Sequence, residues 1–246
     1  MGAAVAIGLS PGTQKIRLFG GKMLRALALL TVTCSLALGY VIDPKVPAEV
    51  KQQIQNDLAF IDSIEGNRST PIHTKIFGGV KGKLYTEFFE NRVTHIGMST
   101  CGGNAKAVAC VIPLLGSSKI WLTNNYVKFS HPLMAKMMVV FHEARHTEVK
   151  EGNWPHATCP TPFIDPKTGK EKTSIFTGAE LAGEPACDTT PLGSYGSSQL
   201  MIKNIEKYCT NCTEKVKQDA QLYGDDQLGR MLGEGKTAIE KDLASK

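Results

Sequence analysis

Ser130-His131-Pro132-Leu133-Met134-Ala135-Lys136-Met137-Met138-Val139-Val140-Phe141-His142-Glu143-Ala144-Arg145-His146 is an apolar run that closes on two histidines four residues apart. Met134, Met137, Met138 and Phe141 recur at helical spacing, so the run reads as a helix with an apolar face. Ser130 suits its N-cap and Pro132 its first turn. Residues i and i+4 of a helix lie on one face, one turn apart. Two imidazoles placed that way, His142 and His146, can share one metal ion. Glu143 sits one step round the helix, where its carboxylate can reach a water on that metal.

His142-Glu143-Ala144-Arg145-His146 is an HExxH motif, and with its helix it resembles the zincin metallopeptidases. The resemblance rests on residues 119–146 and mostly on the motif itself. It implies a small mixed sheet over the motif helix, Zn²⁺ held by His142 and His146, and Glu143 as the general base. It also implies a zinc-dependent peptidase acting on peptide or protein substrates, with an edge strand that aligns an extended chain. The alternative is a non-enzymatic secreted module with a structural or vestigial zinc site. The presence of Glu143 speaks against that alternative, because a structural site has no need of a base.

Catalytic zinc takes three protein ligands and keeps one position open. The third ligand is sought downstream. His156 lies ten residues past His146, and Gly152 lies six past it. The metzincin pattern is shorter by about one helical turn, so a tight return through Asn153-Trp154-Pro155 is required. Asp188, with Tyr195-Gly196 after it, has a loose likeness to the aspzincins. Glu180 and Glu184 are the gluzincin-like candidates, although Gly183 and Pro185 argue against a regular helix there. His156 is the preferred third ligand. A Cys159–Cys187 bridge would bring Asp188 beside it, letting one residue ligate and the other orient it. Tyr195 reads either as a donor to a developing oxyanion or as a buried aromatic. Arg145 cannot ligate and is expected to pair with Glu148 or Asp188. His73, His95 and His131 read as structural, and Trp154 as packing over the loop after the helix.

The N-terminus has the form of a secretory signal. Lys15, Arg17, Lys22 and Arg25 precede the apolar run 26–38, which is short for a membrane span. Met23 offers an alternative start, and cleavage after Gly39 would leave Tyr40 as the first mature residue. Removing residues 1–39 takes away four basic and no acidic residues, so the formal charge falls from +5 to +1. That near-neutral balance gives no argument for nucleic acid binding. No stable membrane association is expected after cleavage, and the location implied is secreted or periplasmic. Six cysteines then remain, an even number that suggests three disulfides in an exported protein. Nearest-neighbour pairing gives Cys101–Cys110, Cys159–Cys187 and Cys209–Cys212.

The remaining 207 residues, 40–246, suffice for one domain, with two lobes at 40–150 and 151–246 as a possible subdivision. Val50, Ile54, Leu58 and Ile61 place a helix between Pro47 and Ile64. Residues 67–80 read as loop or short strands, and 84–98 as a hairpin or pair of strands. A short apolar run follows at 107–115, and residues 119–123 read as a strand. Residues 151–162 and 183–196 are irregular. Residues 197–232 are mainly helical, with Leu200, Ile202, Ile205 and Tyr208 inward and an interruption at Gly224-Asp225-Asp226. The class is α+β, a small sheet over the motif helix with a helical C-terminal part.

Overall fold

A computed structural model describes residues 39–153 and 155–245. The signal segment expected at 1–39 therefore lies outside the described residues except for Gly39, and Trp154 lies outside them too. The architecture is mixed α and β. Among the described residues there are eight α-helices and one four-stranded sheet.

Strand β1 (Val41–Ile42) leads into helix α1 (Ala48–Asp62), whose Val50, Ile54, Leu58 and Ile61 are all buried at the expected spacing. The stretch read as loop or strands instead holds helix α2 (Pro71–Phe77), started by proline in its first turn and ended by left-handed Gly78. The expected hairpin is likewise corrected. Its first half is helix α3 (Gly82–Glu90), with Tyr85, Phe88 and Phe89 buried on one side, and only β2 (His95–Met98) is extended. Gly82 is required there, because a Cβ on it would stand 1.9 Å from the carbonyl oxygen of Asp62.

Strands β3 (Ala109–Val111) and β4 (Lys119–Leu122) complete a sheet of order β1-β2-β4-β3. The first three of these are parallel, and β3 runs antiparallel along the edge beside β4. Ile120 and Leu122 point into the core, while Trp121 lies over Gly97, where a Cβ would approach its ring to 2.7 Å. After the short helix α4 (Asn124–Lys128) comes α5 (Leu133–His146), the helix that carries the motif. It starts after Pro132, without the side-chain cap expected from Ser130. It is buried on nearly every side, Lys136 and Val139 included, rather than on one apolar face.

The C-terminal part consists of α6 (Ser194–Tyr208), α7 (Glu214–Leu228) and α8 (Gly233–Ala244). Leu200, Ile202, Ile205 and Tyr208 face inward as expected. The expected interruption does not occur, since α7 runs through Gly224-Asp225-Asp226. A Cβ on Gly224 would fall 2.4 Å from the stem of Lys203 in α6, so this glycine permits close helix packing rather than a break. Helix α5 packs against α6, α7, α1, β3 and β4, and one core joins residues from Tyr40 to Tyr223. The three expected disulfides are all present. They fit an oxidising, extracellular type of environment. No helix among the described residues is long and apolar enough to cross a membrane.

Candidate metal centre

The last two turns of α5 place His142 and His146 on one face. The chain must then return for a third histidine. It does so through a short 3-10 turn, Val149–Glu151, closed by Gly152 at a left-handed φ of 76°. Glu148 anchors this return. It bonds Arg92, Arg145 and the side-chain amide of Asn153, so Arg145 pairs with Glu148 and not with Asp188. The return brings His156 against the helix. Its Nε2 lies 3.2 Å from Nε2 of His142 and 2.9 Å from that of His146, and the two helix nitrogens are 3.1 Å apart. These three are the one group among the described residues whose ligand atoms converge as for a metal ion.

Each ring is held from behind. His146 Nδ1 lies 2.9 Å from the carbonyl oxygen of Asn153, and His156 Nδ1 lies 2.9 Å from Asp188 Oδ1. His142 bonds to the backbone of Ser194. These acceptors assign the Nδ1 hydrogens of His146 and His156 and leave lone pairs on their Nε2 atoms. Bare nitrogens crowded this closely repel one another unless a cation sits among them. Four ligands around a tetrahedral Zn²⁺ stand about 3.3 Å apart, close to the triangle observed. The donor set therefore fits a metal ion, and its all-nitrogen character suits several divalent metals.

Asp188 explains why His156 arrives here. Ala157 and Cys187 form an antiparallel bridge, reinforced by the Cys159–Cys187 disulfide, and this carries Asp188 alongside His156. Asp188 is only 4% exposed. Its second oxygen accepts the Tyr195 N–H at 2.8 Å, and its backbone pairs with Arg230 and Leu232. Asp188 thus orients the histidine ligand candidate from behind. Glu180 and Glu184 are not drawn to the histidines. They line the cavity wall, and Glu184 pairs with Lys106 at 2.7 Å.

The histidines open on a cavity of about 440 Å³ lined by Val108, Met138, Phe176 and Leu181, with Glu143 and Tyr195 also in its wall. Edge strand β3 forms part of its wall. Glu143 is buried, its Oε2 has no hydrogen-bond partner, and burial pushes its carboxyl up to about 8. A cation at the histidines would draw it back towards the ionised form. Burial, followed by the neighbouring His146 and His156, holds His142 well below the usual imidazole range.

Tyr195 stacks on His156 with ring centroids 4.5 Å apart and meets His142 edge-on at 4.4 Å. Its hydroxyl oxygen accepts from Arg230 Nη1 at 3.1 Å. The remaining histidines are structural as expected. His73 meets the Tyr85 hydroxyl, His131 that of Tyr223, and His95 approaches Asp43. Gln227 and Arg230 carry no signal in the sequence, because each reaches the site through tertiary packing and neither belongs to a local motif. The chain matches no protein-family model, no curated protein and no solved structure.

Proposed function

We propose that this protein is an exported, zinc-dependent hydrolase of the zincin type that cleaves peptide bonds. The observation that carries the reading is the convergence of three histidine Nε2 atoms beside a buried carboxylate in an open cavity. His142, His146 and His156 would hold the ion, and nitrogen donors in a three-plus-open arrangement favour zinc. When bound, zinc supplies Lewis-acid polarisation of a water and of a substrate carbonyl.

The protein's own groups account for the rest. Glu143 takes a proton from the attacking water at Oε2 and hands it to the departing amine nitrogen. Asp188 keeps His156 in the tautomer whose Nε2 can donate its lone pair. The Tyr195 hydroxyl, its oxygen occupied by Arg230, has its own hydrogen to give to oxygen charge that develops in the cavity. Edge strand β3 borders the cavity, which suits an extended peptide. A closed structural site would turn a fourth side chain towards the ion. Asp188 instead faces His156 Nδ1 and the Tyr195 N–H. The basic and apolar N-terminal segment, with the disulfides, supports export.

The test pairs elemental analysis of the dialysed, oxidised protein with hydrolysis of a quenched-fluorescence peptide mixture. About one zinc per chain is expected for wild type and for Glu143→Gln, with the variant's rate lower by on the order of 10²–10⁴. A protein that takes up no metal, or a variant that cleaves like wild type, overturns the reading.

A further inference from the structure

Arg230 follows α7 and is only 4% exposed, yet its guanidinium is incompletely matched. Nε lies 3.3 Å from Asp226 Oδ2, Nη1 donates to the Tyr195 hydroxyl, and Nη2 has no hydrogen-bond partner. Buried donors are ordinarily satisfied, and a charged one left unmatched is costly. The residue sits in the wall of the cavity that holds the three histidines, next to Gln227 and Tyr195.

The hydrogen-bond inventory of this end gives its chemistry. A guanidinium only donates, so the Tyr195 oxygen is the acceptor and the tyrosine hydrogen is directed elsewhere. Asp226 Oδ2 accepts from Arg230 Nε and from the Gln227 amide. Arg230 Nη2 is thus a buried charged donor left without an acceptor in the wall of this cavity. The Lys106–Glu184 pair in the same wall satisfies itself. The walls are apolar at Val108, Met138, Phe176 and Leu181. One buried guanidinium with a donor to spare matches a planar, singly charged carboxylate. Only the Tyr195 ring separates Arg230 from His142, with centroid distances of 5.1 Å and 4.4 Å. An anionic oxygen at Arg230 therefore lies about one residue from a bond at the metal centre.

We infer that the Arg230 end of the cavity receives the C-terminal carboxylate of a peptide, so that the protein removes residues from C-terminal ends. The inference rests on the proposed hydrolase and deepens it by naming the substrate class.

Two measurements test it independently. In the first, the zinc-loaded protein is given one peptide as its free acid and as its C-terminal amide. The acid is expected to be cleaved on the order of 100-fold faster, because the amide leaves the buried donors unmatched. Equal rates overturn the inference while leaving the hydrolase in place. In the second, calorimetry on the metal-free protein compares N-acetyl-L-phenylalanine with its amide, for wild type, Arg230→Lys and Arg230→Gln. Binding of the acid alone, lost in Arg230→Gln and partly kept in Arg230→Lys, is expected. Equal binding of acid and amide, no binding of either, or undiminished binding in Arg230→Gln overturns the inference. Arg230-dependent binding of the acid with no cleavage of either peptide would keep the carboxylate site and sink the hydrolase. The wild-type comparisons decide even if an Arg230 variant fails to fold.

Discussion

Asp188 stands behind His156, Oδ1 to Nδ1 at 2.9 Å, and with its other oxygen holds the backbone N–H of Tyr195. One buried carboxylate therefore sets the tautomer of a histidine, the entry to α6 and the position of the ring stacked on that histidine. An Asp188→Asn variant would keep the size and one acceptor. Its amide would donate where the carboxylate accepts, turning His156 into the tautomer with hydrogen on Nε2. Zinc affinity should fall about 10–100-fold, measured by competition with a chromophoric chelator. An affinity within twofold of wild type would remove Asp188 from the site.

Metal should stabilise the fold, since its three ligands are assembled only in the native chain. At free zinc about 100 times the dissociation constant, the gain is about 2.7 kcal/mol. For a domain of this size that raises the melting temperature by about 5–10 °C. Calorimetric scans with zinc and with EDTA provide the check. Coincident melting curves would show that the histidines hold no ion in the folded state.

The Cys159–Cys187 bridge should matter more than its two companions. It closes a separation of 28 residues, against 9 for Cys101–Cys110 and 3 for Cys209–Cys212. Removing it with paired serines should cost about 3–4 kcal/mol in urea unfolding. The same variant should also lose metal affinity, because the bridge carries His156 and Asp188 into register. Removal of Cys209–Cys212 should cost less and leave metal binding intact. The reverse order would show that the loop is held by other contacts.

Acid should act through His73. Burial holds this imidazole down at about 3, against 6.5 for an exposed one. Below about pH 6.5 the unfolded chain takes up a proton that the folded chain refuses until about pH 3. Its contribution is thus complete above pH 6.5 and falls through that window, on the order of 5 kcal/mol in all. Asp57, raised by burial to about 6, pulls the other way. A His73→Phe variant isolates the histidine, because both proteins carry Asp57. Its unfolding free energy should change less than that of wild type between pH 6.5 and 4. Parallel curves would show that His73 is protonated equally in both states.

Much of this arrangement is legible in the chain because its signals are local. The four-residue spacing of His142 and His146, the period of Val50, Ile54, Leu58 and Ile61, and the nearest-neighbour cysteines can each be read in one window. The errors arise where packing overrides a local cue. Tyr85 and Phe88 suggest strand by residue type, yet with Phe89 they form the i, i+3, i+4 stripe of a helix. Gly224 suggests a break, yet it admits the Lys203 stem between α6 and α7. The pairing of His156 with Asp188 depended on which cysteines join, so it could be stated only conditionally. Arg230 carried no signal, because its pairing with Asp226 at i−4 looks like any surface pair and the contact that brings it to the site, Tyr195, lies 35 positions away.

The burial of α5 on nearly every side gives the three histidines unequal footing. His142 and His146 belong to a helix whose amide protons should exchange only when the whole domain opens. His156 lies past Gly152, off that helix, and is held instead by Asp188 and by the bridge between Ala157 and Cys187. Loss of those contacts would free one nitrogen while the other two keep their grip. Metal loss should then be faster than unfolding, with its rate set by the His156–Asp188 contact rather than by the core.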